Sequence, residues 1–181
     1  MPITFSNIIL WRHAQAIDGI NADDDMSRAL TQKGQRQADK MSSWLAKNLP
    51  SAHLAPKLLL GQIDRVDQAS LTNWTLYSSA ALRAYQTAQA LNIKANCNIE
   101  VVERFNPNSS LQKVLTELSQ LNQLQNLVLV GHAPWIGQLT AHLLGAKADE
   151  FTIKKGAIWW LRRSKSKPSH YEILTVQTPK I

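Results

Sequence analysis

The apolar positions of this chain fall into two kinds of segment, and they alternate. Asn7–Trp11 is an uninterrupted apolar run closed by polar residues, as expected of a strand buried on both faces. Thr31 can cap a helix running to about Leu49, because Met41, Trp44, Leu45 and Leu49 recur at helical spacing and Pro50 ends the pattern. The signal weakens over Ser51–Asn73, where an inserted loop or partial helix is expected. It resumes with a strand at Trp74–Tyr77, a helix from about Ala80 to Leu91 and a strand at Ile99–Val102. Asn106–Ser110 is loop, and Ser109 or Ser110 can cap a helix reaching Leu121. Leu127–Val130 is a fourth strand, followed by a helix from Pro134 or Trp135 to Gly145. Two strands close the chain, Ala157–Leu161 and Tyr171–Val176. In the first of them the pair Trp159-Trp160 should face opposite sides of the sheet.

Strand and helix in alternation predict an α/β fold: a three-layer α/β/α sandwich on a mostly parallel sheet, with an antiparallel strand near the C-terminus. At 181 residues the chain has the length of one domain, expected to span 1–181. No apolar run approaches the length of a membrane span, and the first residues read as a strand, not a signal peptide. Cys97 is the lone cysteine, so an internal disulfide is excluded and a cytoplasmic setting is expected. The net charge of +7 favours anionic partners, but no Lys/Arg run is interleaved with aromatics as a nucleic-acid stacking surface would require. The dense basic cluster Arg162, Arg163, Lys165, Lys167 lies near the C-terminus.

In a parallel sheet, ligands collect at the C-terminal ends of the strands. Three segments arrive there: Arg12-His13-Ala14 after the first strand, Ser78–Thr87 with Arg83 after the second, and Gly131-His132-Ala133 after the fourth. Two guanidinium forks can grip the oxygens of a phosphoryl dianion, and a neutral imidazole can attack its phosphorus. Flanking cations would hold His13 unprotonated and stabilise the charge of the transition state. No His-x-x-x-His, Cys-x-x-Cys or clustered carboxylate pattern joins these strand ends, so metal-independent chemistry without a cofactor is expected.

These residues resemble the histidine phosphatase superfamily, with its phosphoglycerate mutase-like fold. Arg12-His13-Ala14 stands where that family has Arg-His-Gly, Ser78–Thr87 is similar to its S-x-x-x-R-x-x-x-T helix start, and Gly131-His132 resembles its late Gly-His. Ala29–Gly34, His132–Gly137 and Phe151–Ala157 resemble segments of the small SixA-type phosphohistidine phosphatases. The resemblance implies that His13 is the nucleophile and that Arg12, Arg83, His132 and Ala133 form the phosphate pocket. It places Glu103 where many members carry a leaving-group acid, with an ion pair to Arg104 or Arg83 as the structural alternative. Asp18 and Asp23–Asp25 are weaker acid candidates, read mainly as a solvated loop.

The expected activity is hydrolysis of phosphohistidine on a phosphotransfer protein through a phosphorylated His13. Two alternatives stand beside it: a small-molecule phosphomonoesterase of the same superfamily, and a non-catalytic anion- or nucleic-acid-binding module. Two departures from the family pattern matter, namely Ala14 in the glycine position and the length of Ser51–Asn73.

Overall fold

The structure, a computed structural model, describes residues 3–19, 25–49, 74–121, 126–147 and 151–180. The expected insertion Ser51–Asn73 therefore lies outside the described residues, as do Asp23 and Asp24. In chain order the elements are β1 (Asn7–Arg12), α1 (Gln32–Asn48), β2 (Trp74–Ser78), α2 (Leu82–Ala95), β3 (Ile99–Val101) and a 3-10 turn at Glu103–Phe105. There follow α3 (Leu111–Gln120), β4 (Asn126–Gly131), α4 (Trp135–Leu144), β5 (Ile158–Arg163) and β6 (Tyr171–Gln177).

The six strands form one sheet in the order β3-β2-β4-β1-β5-β6. β3, β2, β4 and β1 are parallel, and β5 runs antiparallel to both β1 and β6. Alternate residues of the central strands supply two cores. Ile9, Trp11, Leu76, Val128 and Val130 pack with Met41 and Leu45 of α1 and with Ala84, Ala88 and Leu91 of α2. Ile8, Leu10, Tyr77, Leu127 and Leu129 pack on the other face with Val114 and Leu118 of α3 and with Trp135, Ile136 and Leu139 of α4. This is the three-layer sandwich expected from the sequence, with helices on both faces of β1 and β4. Trp160 belongs to the first core, edge-on to Trp74 at 5.4 Å, and Trp159 packs against the second. The two rings thus face opposite sides of the sheet, and both sides are core.

The helix boundaries have local causes. Thr31 Oγ1 accepts from Gly34 N–H at 2.9 Å and Ser110 Oγ accepts from Lys113 N–H at 3.3 Å, each satisfying a free donor of a first turn. α2 runs four residues past the expected Leu91, because Asn96 takes the left-handed conformation (φ 49°) that closes it. Among the described residues, no helix is long and apolar enough to cross a membrane.

Candidate active site

β1, β2 and β4 end at one edge of the sheet. The chain after β1 is held there by backbone bonds from His13 N–H to Gly131 O (3.0 Å), and from Gly156 N–H to both Arg12 O and His13 O. Helices clamp it further. Ala14 N–H donates to Thr87 Oγ1 of α2 at 3.1 Å, and Gln15 N–H donates to Gln37 Oε1 of α1 at 2.9 Å. Gly34 of α1 passes so close that a Cβ there would stand 1.9 Å from the Gln15 carbonyl oxygen. Ala14 is not in the left-handed region that would demand glycine. Its methyl is fully buried beside Leu30 and Ala38, so the departure from Arg-His-Gly costs no backbone strain.

A cleft of about 680 Å³ opens at this edge. Arg12, His13, Arg83, His132 and Ala133 all line it, so the structure brings together the five residues expected at a phosphate pocket. The rings of His13 and His132 lie 5.0 Å apart. Glu103 does not join them: it opens the 3-10 turn, is exposed, and is not among the residues lining the cleft. Neither expected ion pair of Glu103 is present. Arg104 pairs with Glu117 at 3.1 Å, and Arg83 pairs with Asp25 at 2.9 Å. Asp18 is fully exposed at its side chain, 4.0 Å from Arg28, and is absent from the cleft lining.

The hydrogen bonds fix how each imidazole can act. His13 Nδ1 lies 2.7 Å from the carbonyl oxygen of Ala14. A carbonyl only accepts, so Nδ1 carries the proton and Nε2 keeps its lone pair. His132 Nε2 lies 2.7 Å from Ser79 Oγ, which already accepts from Ala81 N–H at 3.1 Å. Among the described residues His132 Nε2 is the acceptor within reach of the Ser79 hydroxyl proton, so that proton is assigned to it, leaving Nδ1 as the protonated nitrogen of His132. That Nδ1 is buried and has no partner, and the same holds for Arg12 Nε, whose Nη1 donates to Ile153 O at 2.7 Å. Among the described residues these are the two buried side-chain polar atoms left unpaired, and both belong to residues that line the cleft.

Both imidazoles are neutral at physiological pH. Burial lowers His13 to about 3 against a raising contribution from its bond to Ala14, with the charges of Arg83, Arg12 and Lys155 pushing the same way as burial. Burial likewise lowers His132 to about 2, helped by His13, Arg83 and Arg12. The sequence pointed to flanking cations as the cause for His13; the larger cause is desolvation.

The places of three charged residues at this cleft escaped the sequence reading, which had Asp25 as a weaker acid candidate and gave Arg28 and Lys155 no role. Asp25, read as a solvated loop residue, bridges Arg83 and Arg28, and Arg28 itself lines the cleft with Lys155. Nothing in local pattern marks them, because each reaches the cleft from a loop. The Thr31–Gly34 segment was visible as a helix start, but its role in bracing the loop after His13 was not.

No protein-family model matches the chain. It is 26% identical over 143 residues to a phosphohistidine phosphatase SixA homolog of Haemophilus influenzae, covering 78% of this chain and 79% of that protein. A SixA structure from Nakamurella multipartitia matches with a TM-score of 0.70 at 20% identity, over 100% of both chains. The protein histidine phosphatase SixA complexed with tungstate matches with a TM-score of 0.67 at 22% identity, over 96% of this chain and 97% of that one. These structures share the fold of the chain.

Proposed function

We propose that this chain, a SixA-like member of the histidine phosphatase superfamily, removes phosphoryl groups from phosphohistidine on a phosphotransfer protein by way of a phosphorylated His13. One observation carries the reading. Two donors, Arg12 Nε and His132 Nδ1, are buried without acceptors at the cleft where His13 presents an unprotonated Nε2. A buried unpaired donor costs about 1–3 kcal/mol, and a phosphoryl group supplies acceptor oxygens for both.

The steps follow from these groups. The phosphoryl dianion enters a cleft lined by Arg12, Arg28, Arg83 and Lys155. Arg12 Nε and His132 Nδ1 donate to its oxygens, and His13 Nε2 attacks phosphorus in line with the departing nitrogen. The P–N bond of the substrate breaks as the bond to His13 Nε2 forms, and the substrate imidazole, protonated on its other ring nitrogen from water, takes the electron pair and leaves as neutral imidazole. The Ala14 carbonyl stabilises the positive charge that then spreads over the His13 ring through Nδ1–H. Water next attacks the phosphorylated His13, releasing inorganic phosphate and restoring the free imidazole.

The leaving group fits the carboxylates present. Asp25 is the carboxylate among the described residues that line the cleft. Burial raises its pKa, but the hydrogen bonds and charges of Arg83 and Arg28 outweigh burial and hold it below the ordinary value. It is thus ionised and in no position to protonate an alkoxide. An imidazole leaving group depends less on such an acid.

The test is chemical. Protein incubated briefly with a phosphohistidine-bearing phosphotransfer protein, then quenched, should carry phosphate that survives base and is lost in acid, and His13→Ala should carry none. Acid-stable label, or label retained in His13→Ala, would sink the mechanism. A wild-type protein that clears small phosphate esters quickly but leaves the phosphoprotein untouched would sink the substrate assignment.

A further inference from the structure

Arg83 is the most deeply buried cation of the cleft, 4% exposed, yet both terminal nitrogens of its guanidinium are held by one residue. Nη2 donates to Asp25 Oδ2 at 2.9 Å and Nη1 donates to the Asp25 backbone carbonyl. The other carboxylate oxygen, Oδ1, accepts from Arg28 Nη1 at 3.0 Å. Arg28 is anchored in turn, its Nε donating to Ile17 O at 2.6 Å.

A carboxylate and a phosphoryl group offer a guanidinium the same kind of acceptor, and the end-on edge of one arginine cannot serve both at once. We infer that Asp25 is an intramolecular competitor for Arg83, which yields the guanidinium to the phosphoryl group of the substrate and takes it back as inorganic phosphate leaves. The inference rests on the phosphatase reading, because only then does a phosphoryl group reach Arg83.

The geometry says which partner moves. The Arg83 side chain is 5% exposed and that of Asp25 is 34% exposed, so the carboxylate can swing toward water while the guanidinium stays. Arg28 keeps Oδ1 when Oδ2 lets go, so the displaced carboxylate remains beside the cleft. Its return is then a local event at high effective concentration, which favours release of a small product over its retention. A substrate phosphoryl group carries about two charges against one on the carboxylate, so it can win the exchange on entry. Held only by donors, without a competitor, product phosphate would stay longer.

The sign of one binding change tests this. The full chain is titrated with inorganic phosphate and with tungstate by calorimetry, as wild type, Asp25→Asn, Asp25→Ser and Asp25→Glu. Asp25→Asn and Asp25→Ser should each bind phosphate about tenfold tighter, the scale of one charge-assisted hydrogen bond. Competitive product inhibition should strengthen in the same proportion, with kcat and KM both falling. Asp25→Glu keeps the charge and should stay within about threefold of wild type. Phosphate affinity unchanged or weakened in the two neutral variants would overturn the inference, since it would make Asp25 a mere support for Arg83. A wild-type chain that binds neither anion and turns over no phosphoprotein would overturn the phosphatase reading itself, a result readily told apart from the first.

Discussion

His13 can act as a nucleophile only while one nitrogen is free of its proton, and a backbone carbonyl arranges that. His132 can donate to phosphate only if its proton sits on the opposite atom, and a serine hydroxyl arranges that. Ser79 therefore earns a test of its own. Ser79→Ala leaves His132 Nε2 buried without its 2.7 Å partner and frees the ring to place its proton on either nitrogen. On the proposed mechanism kcat should fall about tenfold with KM little changed, and the fold should lose about 1–2 kcal/mol, the usual cost of a buried acceptor left unpaired. Steady-state kinetics beside thermal melts measure both, and an unaltered kcat would remove Ser79 from the site. Ser79, Arg83 and Thr87 were all legible as letters of one motif. What the letters could not show was the partner of each: Thr87 braces Ala14 N–H, Ser79 sets a tautomer, and Arg83 is held by Asp25. Partners depend on how loops fold back, so Arg28 and Lys155 stayed hidden and Asp25 was legible only as one carboxylate of a loop. Glu103 fails for the converse reason. Its place after a strand end was read correctly, but the 3-10 turn that follows keeps it exposed and outside the cleft.

Among the elements, the strands were legible to within about two residues, because the apolar runs in β1 and β4 report burial on both faces. Helix starts were legible through their capping hydroxyls, whereas the end of α2 depended on a left-handed Asn96 that periodicity does not encode. The 3-10 turn at Glu103–Phe105 was missed because three residues carry no period. How α1 serves the site was likewise hidden in a single glycine. Gly34 lets the first turn of α1 lie against the Gln15 carbonyl, two residues after His13. Gly34→Ala should push helix and loop apart, costing about 1–3 kcal/mol of stability as an overpacked contact does. It should also raise KM, because that loop begins at His13, next to Arg12 at the end of β1. Gly145→Ala serves as a comparison far from the loop: it is strained through its φ of 71°, so it should destabilise the chain while leaving KM near wild type. Equal effects on KM from the two variants would show that α1 does not position the site.

For the molecule as a whole, the two buried imidazoles tie stability to pH. In the unfolded chain each takes a proton near 6.5, while in the fold His13 waits until about 3 and His132 until about 2. Between 6.5 and 3 the unfolded state therefore binds more protons than the folded one, so stability rises with pH across that window and is lost as pH falls below 6.5. Of the charged groups facing the two rings, Arg83 and Arg12 push both values down, and Lys155 adds to the push on His13. Asp25 acts in the same direction, but below its ordinary range, since its folded value is lowered from 3.8. At pH 5 each suppressed imidazole withholds a proton 1.5 pH units below 6.5, which at about 1.4 kcal/mol per unit is about 2 kcal/mol per ring. Denaturant melts of wild type at pH 7.5 and pH 5 should therefore differ by up to about 4 kcal/mol from these two rings. A His13→Asn/His132→Asn double variant, with nothing to titrate at either position, should lose far less over the same interval. Parallel losses in the two proteins would mean that the rings gain protons as readily in the fold as outside it. The neutral, proton-free His13 Nε2 on which the nucleophilic mechanism depends would then be gone below neutrality.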